Sequence, residues 1–292
     1  MSRPVGGAPS GPSRYVEGLP QPGRTLVMGV VNVTPDSFSD GGKYVDPAAA
    51  VAHGLQLAAE GADVVDVGGE STRPGATRPS VDEELARVVP VVEGLAAAGI
   101  PVSVDTMRAQ VAEAAVAAGA ALVNDVSGGL ADDAMLSTLA RLDVPCVLMH
   151  WRGHSIEMQQ HTDYGNVVDD VLEALRERVH QAARAGITHS IAIDPGIGFA
   201  KTTEQNWALL RELERFHDLG HPLLVATSRK RFLGVLLEEG GVDRPPAGRD
   251  DATTATTTLA AARGAWCVRV HAVRASADAV RVAARWTTGD PS

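Results

Sequence analysis

Short apolar runs recur along the chain, each preceded by an Ala-rich segment ending in Gly or Ala and followed at once by polar residues. AAEGADVVDVGGE, LAAAGIPVSVDT, AAVAAGAALVNDVSG, AARAGITHSIAIDPG and AARGAWCVRVH are five copies of this design. Repetition of one local pattern predicts a repeated α-then-β unit. With LVMGVVN, VPCVLMH and PLLVATSRK added, eight strands are expected near residues 26–32, 63–67, 101–105, 121–125, 145–150, 190–194, 222–227 and 266–270. Several are apolar nearly throughout, as strands covered on both faces should be.

The helices between them carry their own punctuation. Asp46 before Pro47 reads as an N-cap with proline at the first helical position, and Ser80 with Glu83 has capping-box spacing. Gly61, Gly99, Gly119 and Gly186 sit where helix C-terminal glycines belong. Behind Ser80, the spacing of Leu85, Val88, Val89, Val92 and Leu95 predicts one apolar face packed on the sheet.

Eight strand-helix units fit either a closed (β/α)8 TIM barrel or a doubly wound open sheet. An open sheet gathers its site at one switch point, whereas a barrel draws site residues from the ends of many strands. Asn32, Asp105, Asn124, Asp194, Ser228, Arg269 and His271 all fall at or just after strand ends. That scatter selects the α/β class with a single-domain (β/α)8 barrel over residues 25–286. The Gly-, Pro- and Ser-rich residues 1–24, and residues 287–292, read as disordered tails.

Composition narrows the function classes. A net charge of −10 from scattered acidic residues leaves no basic stripe for nucleic acid, and no apolar stretch is long enough to span a bilayer. Cys146 and Cys267 lie inside apolar runs and read as buried reduced thiols, so a cytoplasmic protein is expected. Nothing resembles a phosphate-binding P-loop, a dinucleotide turn or a zinc pattern. His154 and His161, in the polar segment 152–166, read as exposed loop residues.

Asp105, Asn124 and Asp194 would each be a turn or capping residue if met singly, but three at equivalent strand ends predict convergence at one rim. Two carboxylates and an amide suit a flat heterocycle with several N–H donors. Lysine is rare here, and Lys230 in SRKR follows a strand, where it can bind a ring oxygen or nitrogen while Ser228 and the next helix hold a carboxylate. Arg269 and His271, two apart, point the same way and suit a ring face and a phosphate. NVTPDSFSDGG and GGESTRPGATRP, long and rich in small residues, read as mobile loops that close over substrate with Phe38 and Arg73.

NVTPDSFSDGG, GGESTRPGA, VSVDTMR, NDVSGG, VLMHWR, DPGIGFAK, TSRKRFLG and RVH, in this order, closely resemble the dihydropteroate synthase family, the folate-pathway enzymes targeted by sulfonamides. The resemblance runs from about residue 26 to 286 and implies condensation of 6-hydroxymethyl-7,8-dihydropterin diphosphate with p-aminobenzoate. It implies Mg²⁺ and a homodimer formed through helices on the far side of the barrel. By resemblance Asp105, Asn124, Met149, Asp194, Phe199, Lys230 and Arg269 form the pterin pocket, and Asn32, Arg269 and His271 contact the diphosphate, Asn32 also its metal. Thr72, Arg73, Pro74 and Ser228 receive p-aminobenzoate. Asp36, Phe38, Arg73, Lys230 and Asp105 are the catalytic residues it implies. Thr227 and Ala272 depart from the family pattern at the rim without removing an assigned residue. Two other readings, a corrinoid-linked pterin methyltransferase and a pterin-binding paralogue without turnover, leave the SRK segment, the two loops and the retained Asn32, Arg73, Lys230 and His271 unexplained.

Overall fold

The computed structural model describes residues 15–34, 46–71, 76–154, 160–187 and 190–288. Eight parallel strands alternate with helices: β1 (Leu26–Asn32), β2 (Val64–Gly68), β3 (Val102–Asp105), β4 (Leu122–Asp125), β5 (Cys146–Met149), β6 (Ile191–Asp194), β7 (Leu224–Val225) and β8 (Cys267–Val270). The sheet runs β6-β5-β4-β3-β2-β1-β8-β7, and a parallel bridge from Ile193 to Leu223 brings its two ends together. The open-sheet alternative is thereby excluded. Each expected strand is present within two residues, except that regular pairing in the seventh is confined to Leu224–Val225.

Two-residue periodicity divides the core into two sets. Val27, Val31, Val65, Val67, Val102, Val104, Val123, Leu148, Ile193 and Val268 pack outward against the helices. Their sequence neighbours Leu26, Met28, Val64, Leu122, Val147, Ala192, Leu224 and Cys267 form a separate cluster inside the barrel. Val16, Leu19 and Trp266 join that inner cluster from below. Residues 15–24, read from sequence as part of a disordered tail, therefore contribute the floor of the barrel. The Gly/Pro/Ser bias hid two isolated apolar residues whose partners are on distant strands. At the other end, the last helix, α9 (Val273–Thr288), carries regular structure two residues into the expected tail.

Helix α1 (Pro47–Glu60) starts as expected: the Asp46 carboxylate accepts from the Ala48 N–H at 2.9 Å, with Pro47 at the first position. In α2 (Val81–Ala97) the full capping box forms. Ser80 N donates to Glu83 Oε2 at 2.7 Å, and Glu83 N to Ser80 Oγ at 3.2 Å. Ser80→Ala is expected to cost about 1 kcal/mol and lower the thermal midpoint by roughly 2–4 °C. A calorimetric midpoint indistinguishable from the parent's would contradict it. All four C-terminal glycines take the left-handed conformation.

The buried face of α2 keeps Val88, Val92 and Leu95 of the sequence reading and turns to take in Glu84 and Val91. Glu84, Val88, Val91, Val92 and Leu95 are buried, while Leu85 and Val89 are only partly so. A carboxylate lies on that face because partners reach it from the turn after β3: Thr106 Oγ1 donates to it at 2.6 Å and Arg108 Nη1 at 2.9 Å. The remaining helices described are α3 (Ala109–Ala117), α4 (Met135–Leu142), α5 (Val167–Arg184), α6 (Thr203–Arg211), α7 (Arg231–Leu236) and α8 (Asp250–Ala262). Among the described residues no helix is long and apolar enough to cross a membrane.

Candidate active site

The inward positions that are apolar at the bottom of the barrel become polar at its carboxyl rim. Asp66, Asp105, Asn124, Asp194 and Ser228 are all buried there. Burying that many polar groups is tolerable only if they are paired. Arg269 supplies much of the pairing from β8: its Nε donates to Asp66 Oδ2 at 2.6 Å and its Nη2 to Asp105 Oδ2 at 2.7 Å. Asn124 Nδ2 adds a bond to Asp66 Oδ2 at 3.2 Å. One guanidinium thus serves two carboxylates. Burial pushes Asp105 above the usual carboxylate range and Arg269 pulls it back.

Asp194 ends β6, and its Oδ1 accepts from the Gly196 N–H at 2.7 Å. Burial raises its pKa, opposed first by Lys230. Lys230, between β7 and α7, donates to the Ile197 carbonyl and lies 4.7 Å from the centre of the Phe199 ring. Burial brings its ammonium down to about 8, and the Asp194 carboxylate opposes that fall. Backbone geometry sets this placement: Arg229 adopts φ +59°. Its guanidinium is tied to Asp250 at 2.7 and 2.8 Å, which anchors the turn to the start of α8. The motif's arginine is therefore a brace.

Met149 joins Met107 and Val126 in a small apolar cluster at the same rim, with Phe199 and Trp151 packed against it. This gives the polar cluster one greasy wall. Ser228 Oγ and His271 Nδ1 are 2.9 Å apart, and the His271 N–H also donates to Ser228 Oγ at 3.1 Å. Residues assigned by resemblance to two different substrates are thus in direct contact. Asn32 ends β1, paired in register with Gly68.

Thr227 departs from the family pattern with a visible consequence, since its hydroxyl bonds Thr256 of α8 at 2.8 Å and ties β7 to that helix. Asp36, Phe38, Thr72, Arg73 and Pro74 lie outside the described residues. His161 is exposed, but His154 is half-buried, its ring edge-on to Trp151 at 5.0 Å.

Sequence reasoning missed Asp66, Met107, Val126 and the pair Lys201 and His150. Asp66 had a signal: it is the one charged residue inside the apolar run VVDVG, two before the rim. Lys201 is buried, with its Nζ 3.0 Å from His150 Nδ1. Asp66, Asp105 and Asp194 are thus matched in number by Arg269, Lys230 and Lys201.

Comparison with known proteins puts this geometry in context. Residues 28–271 match the family model described as pterin binding enzyme. The chain is 55% identical over 268 residues to a dihydropteroate synthase of Mycobacterium leprae, covering 91% of this chain and 94% of that protein. Among solved structures it is similar to the Xanthomonas albilineans dihydropteroate synthase with 4-aminobenzoic acid, at 48% identity and a TM-score of 0.83, covering 91% of this chain and 95% of that one. The Yersinia pestis dihydropteroate synthase with a sulfonamide drug complex superposes with a TM-score of 0.85 at 38% identity, covering 92% and 97% of the two chains.

Proposed function

The chain belongs to the pterin-binding enzyme family, and within it to the dihydropteroate synthases; from that premise we propose that it condenses 6-hydroxymethyl-7,8-dihydropterin diphosphate with p-aminobenzoate. The products are 7,8-dihydropteroate and diphosphate, and sulfonamides compete with the amine substrate. The observation that carries the reading is the mouth itself: buried carboxylates and an amide on one side, the Met149 wall beside them, and lysine and histidine toward the rim. A flat ring with donor N–H groups fits the first two, and an anionic leaving group fits the third.

In this reading Asp194 accepts from the amino-pyrimidine edge, Asn124 and Asp105 bind further along the ring, and Arg269 packs on its face. Lys230 exchanges the Ile197 carbonyl for a ring acceptor. As the methylene carbon separates from diphosphate, positive charge spreads into the ring and the fixed carboxylates of Asp194 and Asp105 stabilise it. The amine of p-aminobenzoate then forms the new C–N bond and loses a proton, while its carboxylate rests on Ser228 and the start of α7. Asn32 and His271 hold the diphosphate. By resemblance Asp36, Phe38, Thr72, Arg73 and Pro74, outside the described residues, complete the site around the amine.

Mg²⁺ fits this site as an ion carried by the substrate. The donor the described residues offer at the end of β1 is the neutral amide oxygen of Asn32, which suits a cation held mainly by diphosphate oxygens and its own water. When bound it neutralises charge on the leaving group. We also assign the protein to the cytoplasm as a homodimer. Leu259 on α8 and Val282 and Trp286 on α9, the last 87% exposed, give those adjacent helices apolar side chains in solvent. Light scattering at twice the 30.4 kDa chain mass is the expected result, with Trp286→Glu shifting it toward the monomer.

The reading is tested by following diphosphate release and dihydropteroate formation together in purified protein with both substrates and Mg²⁺. Equal amounts are expected, with both lost in Lys230→Ala and Asp194→Ala. Pterin binding without either product would refute it. The pH dependence supplies a further check. Lys230 carries its charge below about 8 and loses it as pH rises through that value. The kcat/KM for the pterin substrate should therefore fall by about tenfold per pH unit on the alkaline side. Lys230→Arg, slower overall, should stay flat there, and a flat parent profile would sink the assignment.

A further inference from the structure

Lys201 is a buried lysine that the reaction above does not use; burial draws its pKa well below the ordinary value and the Asp194 carboxylate opposes that fall. Its Nζ has three neighbours at hydrogen-bond distance: His150 Nδ1, the Gly196 carbonyl and the Phe199 carbonyl, each at 3.0 Å. An ammonium has three N–H donors, so this set is complete. His150 is itself fixed from both ends, since its backbone N–H donates to the Asp194 carbonyl at 2.9 Å. Burial, followed by the charge of Lys201, holds the imidazole down to about 2, so it is neutral and accepts through Nδ1.

The turn between Asp194 and Lys201 needs such a hold. Gly196, Gly198 and Ala200 all have positive φ, at +70°, +83° and +50°. Ala200 is strained there, and strained backbone persists only where its surroundings over-determine it. A Cβ on Gly196 would come within 2.4 Å of the His150 carbonyl, so the turn lies directly on β5. Three of its carbonyls end on lysines: Gly196 and Phe199 on Lys201, and Ile197 on Lys230.

We infer that Lys201, seated on His150, is a positioning residue that fixes the Gly196–Phe199 turn and, through the Gly196 N–H, the carboxylate of Asp194. The turn is clasped by two ammoniums. Lys230 has to leave Ile197 to reach a ring, so Lys201 is the lysine that still holds the turn while substrate is bound, beside Asn206, whose Oδ1 accepts from the Gly198 N–H at 2.6 Å, and Tyr164, whose hydroxyl donates to the Ala200 carbonyl at 3.0 Å. The catalytic part of this inference rests on the proposed function; the clasp itself does not.

The test uses the full chain with Lys201→Met, and pairs His150→Leu with His150→Asn, whose amide oxygen can replace Nδ1 as acceptor. Lys201→Met is expected to raise the KM for the pterin diphosphate by about tenfold or more while leaving the KM for p-aminobenzoate within about twofold. Amide hydrogen exchange across residues 195–201 should speed up in the same variant. His150→Leu should follow Lys201→Met on both readouts, and His150→Asn should stay near the parent. If Lys201→Met does not fold, the His150 pair decides the matter. Unchanged exchange in the turn, equal loss of both KM values, or leucine and asparagine behaving alike would overturn the inference. A parent that forms no dihydropteroate would instead defeat the functional reading, and the exchange measurements would still judge the clasp.

Discussion

Replacing Arg269 with leucine is expected to lower the thermal midpoint by roughly 10 °C and to abolish turnover. The guanidinium is the shared partner of Asp66 and Asp105, at 2.6 and 2.7 Å, and both carboxylates are buried. Removing one side of a buried pair costs about 3–5 kcal/mol because the charge left behind has neither water nor a counter-charge. The folded variant, with burial no longer opposed by Arg269, would respond by keeping Asp105 protonated where the unfolded chain has released its proton. The deficit therefore widens as pH rises above the ordinary carboxylate value. Adding Asp66→Asn should restore part of the midpoint, because the amide leaves one carboxylate fewer to strand, and should restore no turnover. A midpoint within about 2 °C of the parent in Arg269→Leu would show that the pair is not coupled to folding.

Asp194→Asn should leave the fold intact and lower kcat/KM by about two to three orders of magnitude. The asparagine oxygen can still accept from the Gly196 N–H, so the turn keeps its anchor. What disappears is the fixed negative charge beside the developing cation. Lys230 loses its chief counter-charge as well, and since Asp194 holds that lysine up against burial, its pKa falls further. The residual activity should thus lose its alkaline side at lower pH than the parent. An unshifted alkaline limb in Asp194→Asn would separate the two residues electrostatically.

The barrel was legible because its signals are local and repeated. A strand covered on both faces reads as an apolar run, a helix cap reads within four residues, and polar residues at strand ends mark one rim. Asp105, Asn124, Asp194, Lys230 and Arg269 could be picked out on that basis. Asp66 is as buried as any of them but sits mid-run, where its neutralising arginine lies 203 residues away. Glu84 is invisible for the same reason, since helical periodicity treats it as a solvent residue until Thr106 and Arg108 are placed against it. Lys201 stands in a recognised motif, yet its meaning depends on His150, 51 residues earlier. Val16 and Leu19 were lost in a segment whose composition resembles disorder. What sequence conceals here is pairing across the barrel, and pairing is what makes buried charge tolerable.

The closed floor formed by Val16, Leu19 and Trp266 governs traffic. Among the described residues the inner cluster fills the barrel below Asp194 and Asn124, so ligands reach them from the carboxyl rim, where Ser228 and His271 also lie. On the proposed placement of the pterin at Asp194 and Asn124 and of p-aminobenzoate at Ser228, the pterin is expected to bind before the amine. Occupying the upper seat first would shut the lower one. Saturating p-aminobenzoate should then slow pterin entry, a queue imposed by the shape of the vessel.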